Sequence, residues 1–302
     1  MYTIRAPVGS FLQPSVSNTT ERNRRALNSA IHSCFAAARA RLSREQSGHR
    51  ARLKRFGAKI ESFANAQSDW LDTRWHFSFD HYHDPKNVSF GPLRVFNDDV
   101  IAPGGGFPTH SHREMEIVTY VISGTLEHRD SLGNTGQITP GEIQRMSAGT
   151  GIRHSEYNAS ENEPLHLVQL WILPAEDRLT PSWEQQRFSL TARTGKLLPI
   201  AVPVPSARSE QKAGNGKSES SVVHIHQDAS IFTSLLRPGD AVTHRFAPGR
   251  RAYLFVVSGE LSVNGRPLRT GDQARISGET SLQLASPAGG KTSADFLLLD
   301  LP

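Results

Sequence analysis

Two pairs of side chains that can bind metal stand out in the sequence, each with one residue between its members. The first pair is His110 and His112 in GGGFPTHSHREME, and the second is His154 and Glu156 in GTGIRHSEY. Residues two apart on a β-strand point to the same face, so each pair can direct both side chains at one ion. If the two strands are neighbours inside a barrel, three imidazoles and one carboxylate converge and leave open coordination positions.

This donor set suits a divalent transition metal: Fe(II), Ni, Mn, Co, Cu or Zn. Cys34 is the only cysteine, which excludes an intramolecular disulfide and a Cys-rich zinc site. A reducing compartment is therefore expected, with a cytoplasmic location as the default. Glu116 stands four residues after His112, on the same strand parity, and is the alternative to Glu156 as the carboxylate.

Two further H-x-H pairs have no second motif at a matching distance. His81 and His83 lie in a loop rich in Tyr, Asp and Pro, where surface polarity explains them. His224 and His226 open a strand of the second half of the chain, where a role at a sheet edge or an interface suffices. Neither pair is expected to bind metal.

From Trp70 onward, short β-branched and aromatic stretches are broken by turn residues about every ten residues, which predicts antiparallel strands in a sandwich or barrel. The expected strands of the first unit are Leu93 to Asn97, Glu116 to Ser123, Gly124 to Asp130, Glu142 to Met146, Ile152 to Tyr157 and Leu165 to Leu173.

A second unit repeats this pattern, since Arg251 to Asp272 echoes Thr119 to Glu142 in its strands and turns. We interpret this as an internal duplication of one β-barrel module. The stretch PVPSARSEQKAGNGKSESS between the units predicts a linker or exposed loop. The expected domains are residues 1–65, a basic extension; 66–200, the metal-binding unit; 201–221, the linker; and 222–302, a second unit without metal ligands.

The positive charge belongs to the N-terminal extension. The 302-residue chain has a net charge of +5, but residues 1–60 hold 12 basic and 2 acidic side chains, and the rest carries a net charge of −5. An amphipathic helix is expected from Thr20 to Arg44. The extension is interpreted as a solvated helical or disordered segment, an organelle transit peptide, or a contact to nucleic acid or membrane. No apolar run approaches the roughly 20 residues of a membrane-spanning helix.

The segments WLDTRWHFSF, FGPLRVFNDD, APGGGFPTHSHREMEIVTYVISGTLEHRDSLGN and PGEIQRMSAGTGIRHSEYN resemble the pirin family of the cupin superfamily. The resemblance covers about residues 68–302 and implies an all-β bicupin, with two cupin-type β-barrels and one metal in the first. The family's ligands match His110, His112, His154 and Glu156, and the family favours Fe(II). His244 alone remains near the corresponding position of the second barrel.

The resemblance also implies a function. It indicates a metal-dependent dioxygenase that cleaves quercetin or a related flavonol with O₂, with Glu156 as ligand and as the catalytic base. The alternative is a non-catalytic, redox-responsive metalloprotein that acts as a transcriptional cofactor through protein partners. A monomer is expected, and nucleic acid is expected to bind only through residues 1–60, if at all.

Overall fold

The computed structural model describes residues 54–55, 70–205 and 222–302 of the chain. Its described part is built almost entirely of β-strands. The strands of the first half are β1 (Lys54–Arg55), β2 (Leu71–Trp75), β3 (Leu93–Ile101), β4 (Gly106–His112), β5 (Glu116–Ser123), β6 (Leu126–Asp130), β7 (Thr135–Ile138), β8 (Glu142–Ser147), β9 (Ile152–Asn158), β10 (Leu165–Ile172) and β11 (Ser182–Arg187).

One short helix separates the two halves: α1 (Leu190–Arg193), which begins after Ser189, whose side chain accepts a hydrogen bond from the Ala192 backbone N–H. The strands of the second half are β12 (Leu198–Pro203), β13 (Val223–Ile225), β14 (Ser230–Leu236), β15 (Ala241–Arg245), β16 (Arg251–Ser258), β17 (Glu260–Val263), β18 (Arg266–Arg269), β19 (Gln273–Ser277), β20 (Ser281–Ala285) and β21 (Ala294–Leu301). None of the described helices has the length and apolar character to cross a bilayer.

Each half is a barrel made of one large and one small sheet. In the N-terminal barrel the large sheet has the strand order β11-β8-β5-β10-β3-β2 and the small sheet has the order β4-β9-β6-β7. In the C-terminal barrel the large sheet has the order β1-β19-β16-β21-β14-β12-β13 and the small sheet has the order β15-β20-β17-β18. The small sheets have the same strand order in both barrels, and β8-β5-β10-β3 is matched by β19-β16-β21-β14. The all-β, two-barrel fold expected from the sequence is therefore confirmed, and the repeated topology agrees with an internal duplication.

The large sheets of the two barrels pack against each other. Alternate residues of β5 and β16 face this junction: Val118 and Tyr120 share a hydrophobic cluster with Tyr253 and Phe255. The residues between them face the barrel interiors, because side chains alternate along a strand. Strands buried on both faces explain why Glu116–Ser123 is buried over six consecutive residues.

The structure differs from the sequence-based assignments at two places. Ala201 to Pro203 do not belong to the linker, because β12 pairs with β14 and β13 of the C-terminal sheet. Lys54–Arg55 lies in the segment expected to be helical or disordered, yet it pairs with β19. The expected helix from Thr20 to Arg44 and linker residues 206–221 lie outside the described residues.

The interiors of the two barrels differ in polarity. The C-terminal interior is filled by apolar side chains from Leu236 to Leu298. The N-terminal interior is apolar only toward one end, around Val121, Leu126 and Leu167. The remainder of this interior holds polar side chains: Thr73, Asn97, Asp99, Thr119, Gln144 and Gln169. The interior of the N-terminal barrel therefore holds more polar side chains than the interior of its duplicate.

Candidate metal centre

The two predicted ligand pairs lie on adjacent strands of the small sheet. His110 on β4 is directly opposite His154 on β9, and His112 is opposite Ile152 two residues along. One nitrogen from each of His110, His112 and His154 lies within 4.8 Å of the others. Three of the four predicted ligands therefore meet at one point, as strand parity requires.

Glu156 forms a second group that shares His154. Its carboxylate, His154 and His128 each offer an atom within 4.8 Å of the other two. His128 is on β6, directly opposite Glu156, and was not identified from the sequence. His128 lies two residues after the interior residue Leu126 on β6, and this alternation is the clue in the sequence that its side chain faces inward. The structure thus brings Glu156 to the cluster through His154, with His128 as an additional member.

Burial keeps the imidazoles of His112 and His154 neutral. It lowers the pKa of His112 to about 3 and that of His154 to about 3, and the neighbouring imidazoles act in the same direction. His154 is 1% exposed and Glu156 is 2% exposed. Neutral imidazole is the form that binds a metal, so His112 and His154 are held in their ligating state at neutral pH.

The tautomer of His110 follows from its surroundings. Its Nδ1 lies 2.8 Å from the carbonyl oxygen of Pro108, which can only accept a hydrogen bond. Nδ1 therefore carries the proton, and Nε2 presents a lone pair toward Nε2 of His154, which is 3.0 Å away. A ligand histidine whose other nitrogen donates to a carbonyl is typical of metal centres.

Unpartnered buried atoms show that the cluster fits a metal ion. His112 Nε2 and Glu156 Oε1 are buried and have no hydrogen-bond partner among the described residues. Leaving such atoms without a partner costs free energy, and a bound cation satisfies lone pairs of this kind. Borderline imidazole and hard carboxylate donors together suit a divalent transition metal.

Glu116 is not part of this cluster. Its side chain is fully buried at the junction between the barrels, where it accepts hydrogen bonds from the Ser147 hydroxyl at 2.9 Å and the His226 backbone N–H at 3.2 Å. The interface role expected for His226 agrees with this contact. Among the described residues, neither His81 and His83 nor His224 and His226 join a metal-binding group.

The C-terminal barrel carries leucines where the cluster would lie. His244 and Leu282 are opposite each other, at the positions that His110 and His154 occupy in the N-terminal barrel. Val263 and Leu284 are likewise opposite each other, at the positions of His128 and Glu156. His244 instead contacts Asp300, with Nε2 and Oδ2 2.8 Å apart. The duplicate barrel therefore keeps one imidazole and replaces the other donors by apolar side chains.

Aromatic side chains surround the cluster. Trp171 meets His112 edge to face, with ring centroids 4.8 Å apart, and Phe79 contacts Trp171 at 5.3 Å. The ring of Phe107 lies 6.4 Å from that of His110 and packs on Trp70. These rings give the surroundings of the cluster an aromatic character.

Two barrels packed through their large sheets, one with a cluster of three histidines and a glutamate, define a two-domain cupin. Comparison with known proteins agrees with this class. Residues 58–172 match the family model described as Pirin, and residues 214–301 match the one described as quercetinase C-terminal cupin domain.

Relatives of known sequence and structure extend over both barrels. Quercetin 2,3-dioxygenase of Escherichia coli strain K12 is 42% identical over 245 residues, which cover 81% of this chain and 97% of that protein. A pirin-like protein of Caulobacter vibrioides is 37% identical over 80% of this chain and 97% of its own length. The crystal structure of the bacterial pirin YhhW from Escherichia coli in complex with nickel(II) is 37% identical, with a TM-score of 0.69 over 84% of this chain and 99% of that chain. The chain belongs to the pirin family.

Proposed function

We propose that this protein is a metal-dependent dioxygenase that cleaves quercetin or a related flavonol with O₂. The observation that carries the proposal is the convergence of His110, His112 and His154 next to the buried carboxylate of Glu156. A relative that is 42% identical is named quercetin 2,3-dioxygenase, which supports the same reaction class here.

One divalent transition metal would be held by His110, His112, His154 and Glu156. The donor set accepts Fe(II), the metal favoured by the family resemblance, and it equally accepts nickel, which the relative YhhW binds. The bound metal would supply a Lewis-acidic centre for the enolic oxygen of the substrate and for O₂.

The residues of this chain then have separate tasks. Glu156 Oε1 has no hydrogen-bond partner among the described residues and carries two lone pairs, so it can bind the metal through one and accept the proton of the flavonol hydroxyl with the other. Trp171 and Phe107 offer aromatic surfaces beside His112 and His110 for the planar rings. Burial of the carboxylate and of His154 limits the access of water to the reacting atoms.

Oxygen uptake tests this function. Protein reconstituted separately with Fe(II), Ni, Mn, Co or Cu is mixed with quercetin in air, and O₂ consumption is followed against the free metal alone. We expect uptake with at least one metal, its loss in His154→Ala, and its retention in His83→Ala, which changes an exposed histidine outside the cluster. If no fully loaded form exceeds the His154→Ala blank, the dioxygenase proposal is wrong and the redox-regulatory alternative replaces it.

A further inference from the structure

The two carboxylate oxygens of Glu156 have different surroundings. Oε2 accepts a hydrogen bond from Nε2 of Gln169 at 2.8 Å. Oε1 is buried and has no hydrogen-bond partner among the described residues. A carboxylate that is held by one oxygen keeps its orientation, and its other oxygen remains free for a metal ion or a proton.

The orientation of the Gln169 amide is fixed by Trp171. The indole Nε1–H of Trp171, which can only donate, lies 2.9 Å from Oε1 of Gln169. A flipped amide would place its NH₂ group against the indole N–H and its oxygen against the carboxylate, which are two repulsive contacts. Because the network decides the assignment of amide atoms, Nε2 must face Glu156. This nitrogen also lies 3.3 Å from the hydroxyl of Thr119, which can accept its second proton.

Trp171 therefore touches the cluster in two ways. Its ring meets His112 edge to face, and its N–H acts on Glu156 through Gln169. Gln169 and Trp171 are on the same strand, β10, two residues apart, so both point into the barrel. One rigid strand thus contacts both an imidazole and the carboxylate of the cluster.

The duplicate barrel shows that the fold itself does not need this amide. Leu167 of β10 is opposite Val121, and the matching pair in the C-terminal barrel is Phe296 and Val256. Two residues further on, the position of Gln169 is occupied by Leu298, which is fully buried in the apolar interior. The amide therefore occurs in the barrel that has the carboxylate, and a leucine occurs in the barrel that lacks it.

From these contacts we infer that Trp171 and Gln169 are positioning residues. They hold Glu156 through Oε2 and leave Oε1 as its single free oxygen. The inference rests on the proposed role of Glu156 as a metal ligand and proton acceptor. It assigns a function to two residues of β10 that do not belong to the ligand set.

The test measures the affinity for nickel(II) by competition with a chelator, without substrate. Gln169→Leu introduces the residue that the duplicate barrel carries and is expected to weaken nickel binding by roughly 10- to 100-fold, the usual effect of losing a partner of a metal ligand. Trp171→Phe keeps an aromatic ring beside His112 but removes the N–H. It is expected to weaken binding in the same direction, because the amide is then free to flip.

Matched controls separate this effect from general disturbance of the barrel. Trp183→Phe makes the same change at an indole that stacks on His128 and whose Nε1 has no hydrogen-bond partner among the described residues, so it controls for the smaller ring beside the cluster. Gln185→Leu removes an amide that donates to the Gln137 carbonyl at 2.9 Å, away from Glu156. Both are expected to keep the nickel dissociation constant within about twofold of the wild-type value. The circular dichroism of each metal-free variant shows whether it is folded.

A double-mutant cycle tests the positioning role of Gln169 separately from the ligand role of Glu156 on which it depends. In Glu156→Ala, the further change Gln169→Leu is expected to have no additional effect on nickel affinity. If Glu156→Ala weakens binding but folded Gln169→Leu and Trp171→Phe bind as the wild type does, the inference is wrong and the ligand role of Glu156 stands. If Glu156→Ala itself changes nothing, that ligand role fails and the inference fails with it.

Discussion

Glu116 and His226 join the two barrels through a hydrogen bond in which the His226 backbone N–H donates to Oε2 of Glu116 over 3.2 Å. The His226 side chain lies close as well, with Nδ1 3.6 Å from Oε1. These contacts place Glu116 in the junction and leave Glu156 as the carboxylate beside the histidine cluster. The two glutamates therefore serve different ends: one holds the barrels together, and the other belongs to the candidate metal centre.

Alanine substitution should separate these roles. Glu116→Ala leaves the Ser147 hydroxyl and the His226 N–H without their acceptor and is expected to lower the free energy of unfolding by about 1–3 kcal/mol. Its nickel content should stay at the wild-type level. Glu156→Ala should show the opposite pattern, with weakened nickel binding. Urea unfolding of the metal-free proteins and metal analysis after desalting measure both quantities, and a loss of nickel in Glu116→Ala equal to that in Glu156→Ala would contradict the assignment.

The buried carboxyl of Asp99 predicts a dependence of stability on pH. Burial raises the pKa of Asp99 to about 7 in the folded protein, from an ordinary value of 3.8. Between these two pH values the folded state retains the proton that the unfolded state releases, so this carboxyl lowers stability progressively as pH rises through the window. Above pH 7 the folded protein bears the full cost of a buried charge.

Asp99→Asn removes that cost. The free energy of unfolding of the variant minus that of the wild type should be larger at pH 8 than at pH 4, by up to about 4 kcal/mol. Urea unfolding of metal-free protein at the two pH values measures the difference. Asp72→Asn, which alters an exposed aspartate of the neighbouring strand β2, controls for the substitution itself. An equal effect of Asp99→Asn at both pH values would show that Asp99 does not titrate in this window.

Close contact between β4 and β9 makes Gly106 sensitive to substitution. A Cβ atom at this position would lie 2.5 Å from the Glu156 carbonyl oxygen and 2.6 Å from the Tyr157 Cα. Backbone atoms cannot turn away as a side chain does, so Gly106→Ala must push the two ligand-bearing strands apart. We expect a loss of about 1–3 kcal/mol in stability together with weaker nickel binding.

Gly289→Ala is the matched control, because a Cβ atom there meets nothing within 4 Å. Thermal melting and chelator competition on both variants check the prediction. A Gly106→Ala protein that melts and binds nickel as the Gly289→Ala protein does would contradict the tight approach of β4 and β9.

The sequence predicts a feature of the site well when the inference needs only the alternation of side chains between the two faces of one strand. His110 and His112, and likewise His154 and Glu156, could be paired from their spacing alone, and the structure puts both pairs on the interior face of the small sheet. The same parity argument fails for Glu116. The strand ends at His112, Glu114 adopts a positive φ of 51°, and a new strand begins at Glu116, so counting residues across this break has no meaning.

Other features depend on which strands become neighbours. The contact of His128 with Glu156 and the chain from Trp171 through Gln169 to Glu156 require the register of β6, β9 and β10, which local patterns do not encode. The same limit explains the misplaced linker boundary. β12 follows the N-terminal barrel in sequence, but it pairs with β14 of the C-terminal sheet.

The central claim is that one metal ion is held by the histidine cluster of the N-terminal barrel. Metal analysis of wild-type protein, His110→Ala and His154→Ala after nickel loading and desalting tests it most directly, with His244→Ala as the control in the duplicate barrel. We predict about one nickel per chain in the wild type and in His244→Ala, and loss of stoichiometric nickel from the two cluster variants, which remain folded. Full nickel occupancy in both His110→Ala and His154→Ala would contradict the assignment of the metal centre.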